Sequence, residues 1–396
     1  MYISNKLTDD NLLNPKRPLI FVPGIRTSRL AIRKENGSLE HFWPLMPHEF
    51  LIRTKLERVF RYLETDIRLR ADDNDNDDIK VAATSLIPFA YDGLIKSILA
   101  WGYKPNFDFW IFPYDWRQSN RISGHLLARF IEEKIEGKWD DGVDIISHSM
   151  GGIIARAASL KGAPIRRAAY IACPHFGSPL AYFILHPQID SRRFIGSAYH
   201  NYPSNAHWHP HDTSNIERKK TLYHRRKELF VKFPSMYELL PDESYLRSRS
   251  VLLTDGKPTL GAEDTYLKND WAFKEKDMRS SVISAMEFKR ELGDELPRQD
   301  VLLICGTNQP TCDAIHYRTS YQASITERRS SYLMQQGFSL PYDSGQAGDG
   351  YVPVTSAMAS ISGTPAYSNS VFIPEPHTVL SNAKATIEAI SRFLAV

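Results

Sequence analysis

Short, nearly uninterrupted apolar runs recur at Leu19 to Val22, Phe109 to Phe112, Val143 to Ile146, Ala169 to Ala172, Val301 to Cys305 and Val371 to Ile373. Runs this short, without polar alternation, mark strands covered on both faces, as in a parallel sheet. Between them, Tyr91 to Trp101, Ser119 to Glu136 and Ala383 to Leu394 carry apolar residues at helical spacing. In the second of these, Leu126, Leu127, Phe130, Ile131 and Ile135 share one face, and Gly124 is a mild cost to the helix. Strands alternating with helices predict an α/β protein with a mostly parallel central sheet flanked by helices.

The alternation stops between Leu180 and Pro297, a stretch rich in Arg, Lys, His, Tyr and Trp that shows no clear strand before Val301. It reads as a cap insertion, 180–297, within a core formed by 1–179 and 298–396, with a lid segment at about 25–80. A length of 396 residues with 42% hydrophobic content fits a core of this size plus its cap, although about 150 residues per domain would suggest two or three domains.

The chemistry concentrates at Ser147-His148-Ser149-Met150-Gly151, which follows the strand Val143 to Ile146 and opens a helix at Gly152 to Ala157. This is the layout of a nucleophile elbow, in which small residues flank a serine held exposed on a sharp turn. Ser147 stands where the G-x-S-x-G pattern has its first glycine. Downstream, Asp349 lies between two glycines in Gly348-Asp349-Gly350-Tyr351-Val352-Pro353, and His377 follows the rigid Pro374-Glu375-Pro376 turn as a loop residue before the last helix. A serine hydroxyl is a weak nucleophile, so the chemistry needs a general base, here His377, and an acid, Asp349, to fix its tautomer. Acyl transfer also needs two amide donors for the developing oxyanion. Met150 N–H follows the nucleophile, and the apolar run at Pro18 to Val22 breaks at Pro23-Gly24 so that Ile25 N–H faces it. None of this requires a metal or an organic cofactor.

These blocks carry a family resemblance. Phe21-Val22-Pro23-Gly24-Ile25, His41-Phe42-Trp43-Pro44-Leu45, Tyr91-Asp92-Gly93-Leu94, Phe112-Pro113-Tyr114-Asp115-Trp116-Arg117, the elbow, Cys173 to Pro179, Pro234-Ser235 with Leu239-Leu240-Pro241, and Gly348 to Pro353 run in order across nearly the whole chain. The sequence resembles the lecithin:cholesterol acyltransferase family, which includes lysosomal phospholipase A2 and the phospholipid:diacylglycerol acyltransferases. The resemblance implies an α/β-hydrolase fold and movement of fatty acyl groups from lipid esters to an alcohol or to water. It implies Ser149, Asp349 and His377 as the catalytic set and Ile25 and Met150 as oxyanion donors. The partner expected is an acyl lipid or another ester, met in solution or at a membrane surface. Trp43 matches the family's lid tryptophan, as a contact for a lipid chain or as core packing. The family usually has Gly-Ser after Gly24-Ile25; here Arg26-Thr27-Ser28-Arg29 sets two cations at the site mouth, and Arg26 is read as a substrate contact. His148 and His175 are read as pocket-lining residues and as competitors for the base. Specificity is expected to lie in the cap. An esterase for a non-lipid ester or lactone, and an inactive binding protein on the same fold, are the other functional readings.

A net charge of +3 gives no footprint for nucleic acid. Three cysteines argue against a disulfide framework; Cys173 reads as core, and Cys305 and Cys312 pair only if the loop between them closes. The secreted relatives' lid disulfide has no counterpart here. Asp9, Asp10, Lys16 and Arg17 interrupt the N-terminal apolar residues and no stretch approaches a membrane span, so the chain reads as cytoplasmic, with secretion by a leaderless route giving the same sequence. The acidic run Asp72 to Asp78 misses the glycine and terminal glutamate of a calcium loop and reads as solvated. The imidazoles of His200, His207, His209, His211 and His224 lack a clear first shell, so no metal is assigned. Asp115 and Arg117 read as structural, through an ion pair or backbone hydrogen bonds bracing the site, rather than as chemistry.

Overall fold

All four residues of the Leu19–Val22 strand are buried, which its uninterrupted apolar sequence requires of a strand in mid-sheet. The computed structural model describes residues 17–44, 53–65, 67, 80–136, 138–139, 141–185, 228–248, 252–254, 257–258, 261–268, 273, 275–297, 300–312, 315–317, 338–339, 348–360 and 367–395. Its strands are β1 (Leu19–Val22), β2 (Ser28–Arg33), β3 (Leu39–Trp43), β4 (Val81–Leu86), β5 (Phe109–Ile111), β6 (Val143–His148), β7 (Ile165–Ile171), β8 (Leu252–Thr254), β9 (Lys257–Pro258), β10 (Asp300–Gly306), β11 (Ile315–Tyr317), β12 (Phe338–Ser339) and β13 (Ser370–Ile373). The helices are α1 (Arg53–Leu63), α2 (Asp92–Ala100), α3 (Asn120–Ile135), α4 (Met150–Leu160), α5 (Pro179–Leu185), α6 (Pro234–Tyr237), α7 (Glu243–Ser248), α8 (Lys276–Leu292), α9 (Val354–Ala357), α10 (His377–Leu380) and α11 (Lys384–Leu394).

The six strands expected from the apolar runs form one sheet, ordered β13-β10-β7-β6-β1-β5, and every pairing in it is parallel. Successive side chains alternate between two apolar layers. Leu19, Phe21 and Ile146 face α2 and α11, where Leu94, Ile98 and Ile390 pack. Ile20, Val22 and Ile145 face α3 and α4, where Leu127, Ile131 and Ile153 pack. The chain leaves β1 for β5 on one side and returns to β6 on the other. That reversal opens a crevice at the carboxyl ends of β1 and β6. Val22 pairs in register with Ser147, so the loops that follow these two strands emerge side by side.

Gly124, a mild cost by propensity, is required by packing. A Cβ there would lie 2.4 Å from the Ala157 Cβ, because α3 and α4 cross in contact at this point. Gly124→Ala is expected to destabilise the chain by about 1–3 kcal/mol, as overpacking does, read as a lower urea midpoint with unchanged slope.

Two further sheets were not legible from periodicity. β2 pairs antiparallel with β3 and β4 to give a three-stranded sheet within the lid segment, irregular between Leu30 and Ala31. The cap, read as lacking clear strands, contains β8 and β9; β8 pairs in parallel with β11, and β11 pairs with β12, so this sheet joins segments on both sides of residue 297. Strands of two or three residues are too short to show a period of two.

Arg117 ties the lid to the core. Its Nε and Nη2 donate to the two Asp115 carboxylate oxygens at 2.8 and 2.6 Å, while Nη1 donates to the carbonyls of Tyr62, Leu63 and Thr65 at the end of α1. The side chain is fully buried, so the ion pair expected between these residues is also a helix C-cap.

Glu238 performs the opposite task for α3. Ser119 Oγ and Asn120 N–H donate to its two carboxylate oxygens at 2.5 and 2.6 Å, and burial pushes its carboxyl up to about 7. Below the ordinary glutamate range both folded and unfolded chains hold the proton. As pH rises toward about 7 the unfolded chain releases it first, so this group's contribution to stability is lost across that window. The Tm of Glu238→Gln is therefore expected to fall less steeply than wild type between about pH 4.5 and about pH 7.5.

Candidate active site

β6 ends directly on the elbow, and α4 starts one residue later, leaving Ser149 at φ 54, ψ −128. A β-carbon residue holds that conformation only where its surroundings over-determine it. They do so by close approach: a Cβ on Gly151 would lie 2.5 Å from the carbonyl oxygens of Val22 and Pro23, and one on Gly152 would lie 2.3 Å from Cys173 Sγ. Ser147, in place of the motif's first glycine, is fully buried with its hydroxyl 3.4 Å from the Ala169 carbonyl, so a small polar side chain fits the position.

Ser149 Oγ lies 2.9 Å from His377 Nε2, and His377 Nδ1 lies 2.7 Å from Asp349 Oδ2. The three side chains, distant in sequence, are all buried, at 7%, 7% and 1% exposure. Each Asp349 oxygen has its own task. Oδ1 accepts the amides of Tyr351 and Val352 at 2.9 and 2.8 Å, and Oδ2 is left for the imidazole. The Asp349 carbonyl also accepts the His377 amide at 2.9 Å, fastening the two loops together. His377 is not a loop residue, as expected, but the first residue of the one-turn helix α10; Pro376 precedes it in an extended conformation suited to a helix start. The Tyr351 ring stacks on the imidazole with centroids 5.0 Å apart.

The expected oxyanion donors are Ile25, in the turn after β1, and Met150, directly after Ser149. Met150 opens α4, where first-turn amides lack intrahelical acceptors. The turn after β1 touches the nucleophile, since a Cβ on Gly24 would lie 3.2 Å from Ser149 Cβ. Arg26 adopts φ 66, a left-handed conformation natural to glycine, and this is the position at which the resembled family carries one. Its guanidinium lies over the rings of Trp43 and Phe230, 5.4 and 5.8 Å from their centroids, rather than standing as a solvated cation. Trp43 is half-buried, donates from Nε1 to the Arg26 carbonyl at 3.1 Å and meets the Trp116 ring edge-on.

The two histidines read as pocket-lining have other neighbours. His148 turns its Nδ1 to the Tyr91 hydroxyl at 2.9 Å and its ring face to His377 at 4.8 Å. Burial, then the nearby His377, hold its pKa well below the ordinary range. His175 is 1% exposed, packs edge-on against Tyr170 and gives its carbonyl to Arg156. Burial and the cations Arg156 and Lys289 depress its pKa too. His377 is the imidazole at the Ser149 hydroxyl, because only its helix places Nε2 there while Asp349 holds Nδ1. Tyr91 is a residue whose part in the site composition did not reveal; its one signal was its place in a family block.

A cavity of about 360 Å3 between α6, α7 and α8 is lined by Leu240, Tyr266, Val282 and Lys289 among others, and not by Ser149, Asp349 or His377. Among the described residues no group of three or more His, Cys, Asp or Glu is arranged to hold a metal ion. The Asp72 to Asp78 run and the histidines at 200, 207, 209, 211 and 224 lie outside the described residues. None of the three cysteines is in a disulfide. No described helix is long and apolar enough to cross a membrane.

The fold is similar to that in the crystal structure of the Tle4-Tli4 complex, with a TM-score of 0.57 and 14% identity over 96% of this chain and 99% of that one. The mature lipase BlEst2 of Bacillus licheniformis aligns over 96% of this chain and 93% of its own at 14% identity, with a TM-score of 0.39. In sequence, residues 77–186 match the lecithin:cholesterol acyltransferase family. Lecithin-cholesterol acyltransferase-like 4 of Arabidopsis thaliana is 26% identical over 250 residues, 56% of this chain and 42% of that protein's length. Parallel sheet, flanking helices and a serine on the β6–α4 turn define an α/β-hydrolase. Within that class the chain is similar, over residues 77–186, to the lecithin:cholesterol acyltransferase family, and it spans less than half the length of the plant relative it matches.

Proposed function

We propose that the chain is a serine acyl hydrolase or acyltransferase that cleaves lipid acyl esters through an acyl-enzyme on Ser149. The observation that carries this reading is the chain of contacts from Ser149 Oγ to His377 Nε2 at 2.9 Å and from His377 Nδ1 to Asp349 at 2.7 Å. In it, Ser149 Oγ attacks the ester carbonyl as its proton passes to His377 Nε2. The amides of Ile25 and Met150 receive the oxyanion, and the imidazolium returns the proton to the departing alcohol. Water or an acceptor alcohol then gives its proton to His377 and attacks the acyl carbonyl, the bond from the acyl carbon to Ser149 Oγ breaks, and the imidazolium passes its proton to Oγ. Asp349 keeps the proton of the resting imidazole on Nδ1 throughout.

The lipid substrate class is supported by the family match and by the name of the plant relative, which this chain matches over 42% of that protein's length. The test is a series of p-nitrophenyl esters together with a fluorophosphonate probe. Wild type is expected to be labelled at Ser149, and kcat/KM is expected to rise as the acyl chain lengthens. A flat or falling series assigns the protein to non-lipid esters or lactones. No labelling of the wild type assigns it to binding without turnover.

A further inference from the structure

The hydroxyl of Tyr91 joins three parts of the site that no sequence motif connects. It accepts the Gly24 N–H at 2.8 Å and lies 2.9 Å from His148 Nδ1 and 3.4 Å from Thr27 Oγ1. Thr27 in turn donates its hydroxyl to the Gly24 carbonyl at 2.5 Å. The Tyr91 oxygen accepts from Gly24, Thr27 Oγ1 has its own hydrogen committed and is an acceptor for the phenolic hydrogen, and His148 Nδ1 makes the third contact, so one hydroxyl ties the turn to the elbow. The His148 ring lies 4.8 Å from the His377 ring. Tyr91 is placed by the core rather than by the loops it serves: its ring packs edge-on against Phe21 of β1 at 4.7 Å and is 3% exposed.

Resting on the reading of Ser149 as nucleophile, we infer that Tyr91 is a positioning residue that locks the Gly24–Ile25 turn against the nucleophile and fixes the His148 ring behind His377. The clearances show why this matters. A Cβ on Gly24 would lie 2.9 Å from His148 Nδ1 and 3.2 Å from both Ser149 Cβ and Tyr91 Oη, so the turn has no slack on the elbow side. Its aim in the plane of the Tyr91 bond is set by that bond. The Ile25 N–H follows in the same turn, and an oxyanion donor loses its value when misaimed by a fraction of an ångström. A neutral His148 adds no charge beside the imidazolium that forms on His377.

The test uses the full chain, a p-nitrophenyl ester and a reversible boronic acid that forms a tetrahedral adduct with the serine. Tyr91→Phe keeps the ring and its contact with Phe21. It is expected to lower kcat about tenfold, to weaken the boronic acid by a similar factor, and to leave KM within about twofold. A lowered Tm with kcat and boronic acid affinity unchanged would make the hydroxyl a structural bond only and overturn the inference. His148 gives a second route if Tyr91→Phe does not fold. His148→Asn retains a hydrogen-bond partner for the phenol and is expected to keep several-fold more kcat than His148→Leu, and equal losses in the two would contradict the inference. A wild type that neither turns over ester nor takes up a fluorophosphonate would instead remove the nucleophile reading itself, and this inference with it.

Discussion

Ser149→Ala lowers kcat for an acyl ester by about 10⁶-fold, while the variant unfolds within a few degrees of wild type. In the proposed mechanism the Ser149 hydroxyl oxygen forms the covalent bond, and it lies 2.9 Å from His377 Nε2, so its loss would remove the acyl-enzyme route altogether. The fold does not depend on it. The conformation of Ser149 is imposed by the approach of Gly151 to the carbonyls of Val22 and Pro23 and of Gly152 to Cys173, and alanine meets the same constraints. Steady-state kinetics with thermal unfolding in parallel checks both halves. A variant that keeps activity within tenfold of wild type is incompatible with Ser149 as the nucleophile.

Asp349→Asn is expected to cost roughly 10⁴-fold in kcat, for a reason this geometry makes specific. Asp349 Oδ1 accepts two amides, from Tyr351 and Val352. An asparagine keeps its oxygen there, which turns its NH2 toward His377 Nδ1. The imidazole then accepts at Nδ1 and carries its proton on Nε2, the wrong tautomer to take the Ser149 proton. Loop and helix stay in place, because the backbone bond from His377 N–H to the Asp349 carbonyl is untouched. The measurement is kcat together with the rate of fluorophosphonate labelling, and both should fall together. Loss of labelling with an unfolded protein would locate the effect in the loop rather than in the tautomer.

Much of this site was legible in the residues because its physical requirements are local. An elbow needs a strand, a serine and glycines in immediate succession, and Val143 to Ala157 supplies them in order. The six buried strands were legible because burial on both faces leaves no alternation to misread. His377 was placed on a loop because one helical turn has too few residues to show a period, although the proline before it is a helix-start signal. Gly124 illustrates the opposite failure. Propensity counts its entropic cost but not the helix that lies against it, and only the contact with Ala157 explains the residue.

The other differences arise from long-range partners. Arg26 was read as a cation at the site mouth, and its stacking on Trp43 and Phe230 joins residues that sequence gives no reason to pair. Asp115 and Arg117 were read as bracing the site through an ion pair or backbone hydrogen bonds, and Arg117 makes both, but which three carbonyls it meets at the end of α1 depends on how the lid folds back. The cap strand β8 pairs with β11, which lies beyond the cap in sequence, with no repeat to announce the pairing. His148 adjoins the serine in the elbow and His175 follows a strand end, and only burial and hydrogen bonding separate the imidazole at Ser149 from these two.

Peptide mass spectrometry after rapid acid quench tests the central claim most directly. With a slowly deacylating activated ester, the account predicts one acyl group on the peptide containing Ser149, formed in wild type and absent from Ser149→Ala. Turnover without any adduct on that peptide, or an adduct on another residue that forms at the rate of turnover, would contradict it.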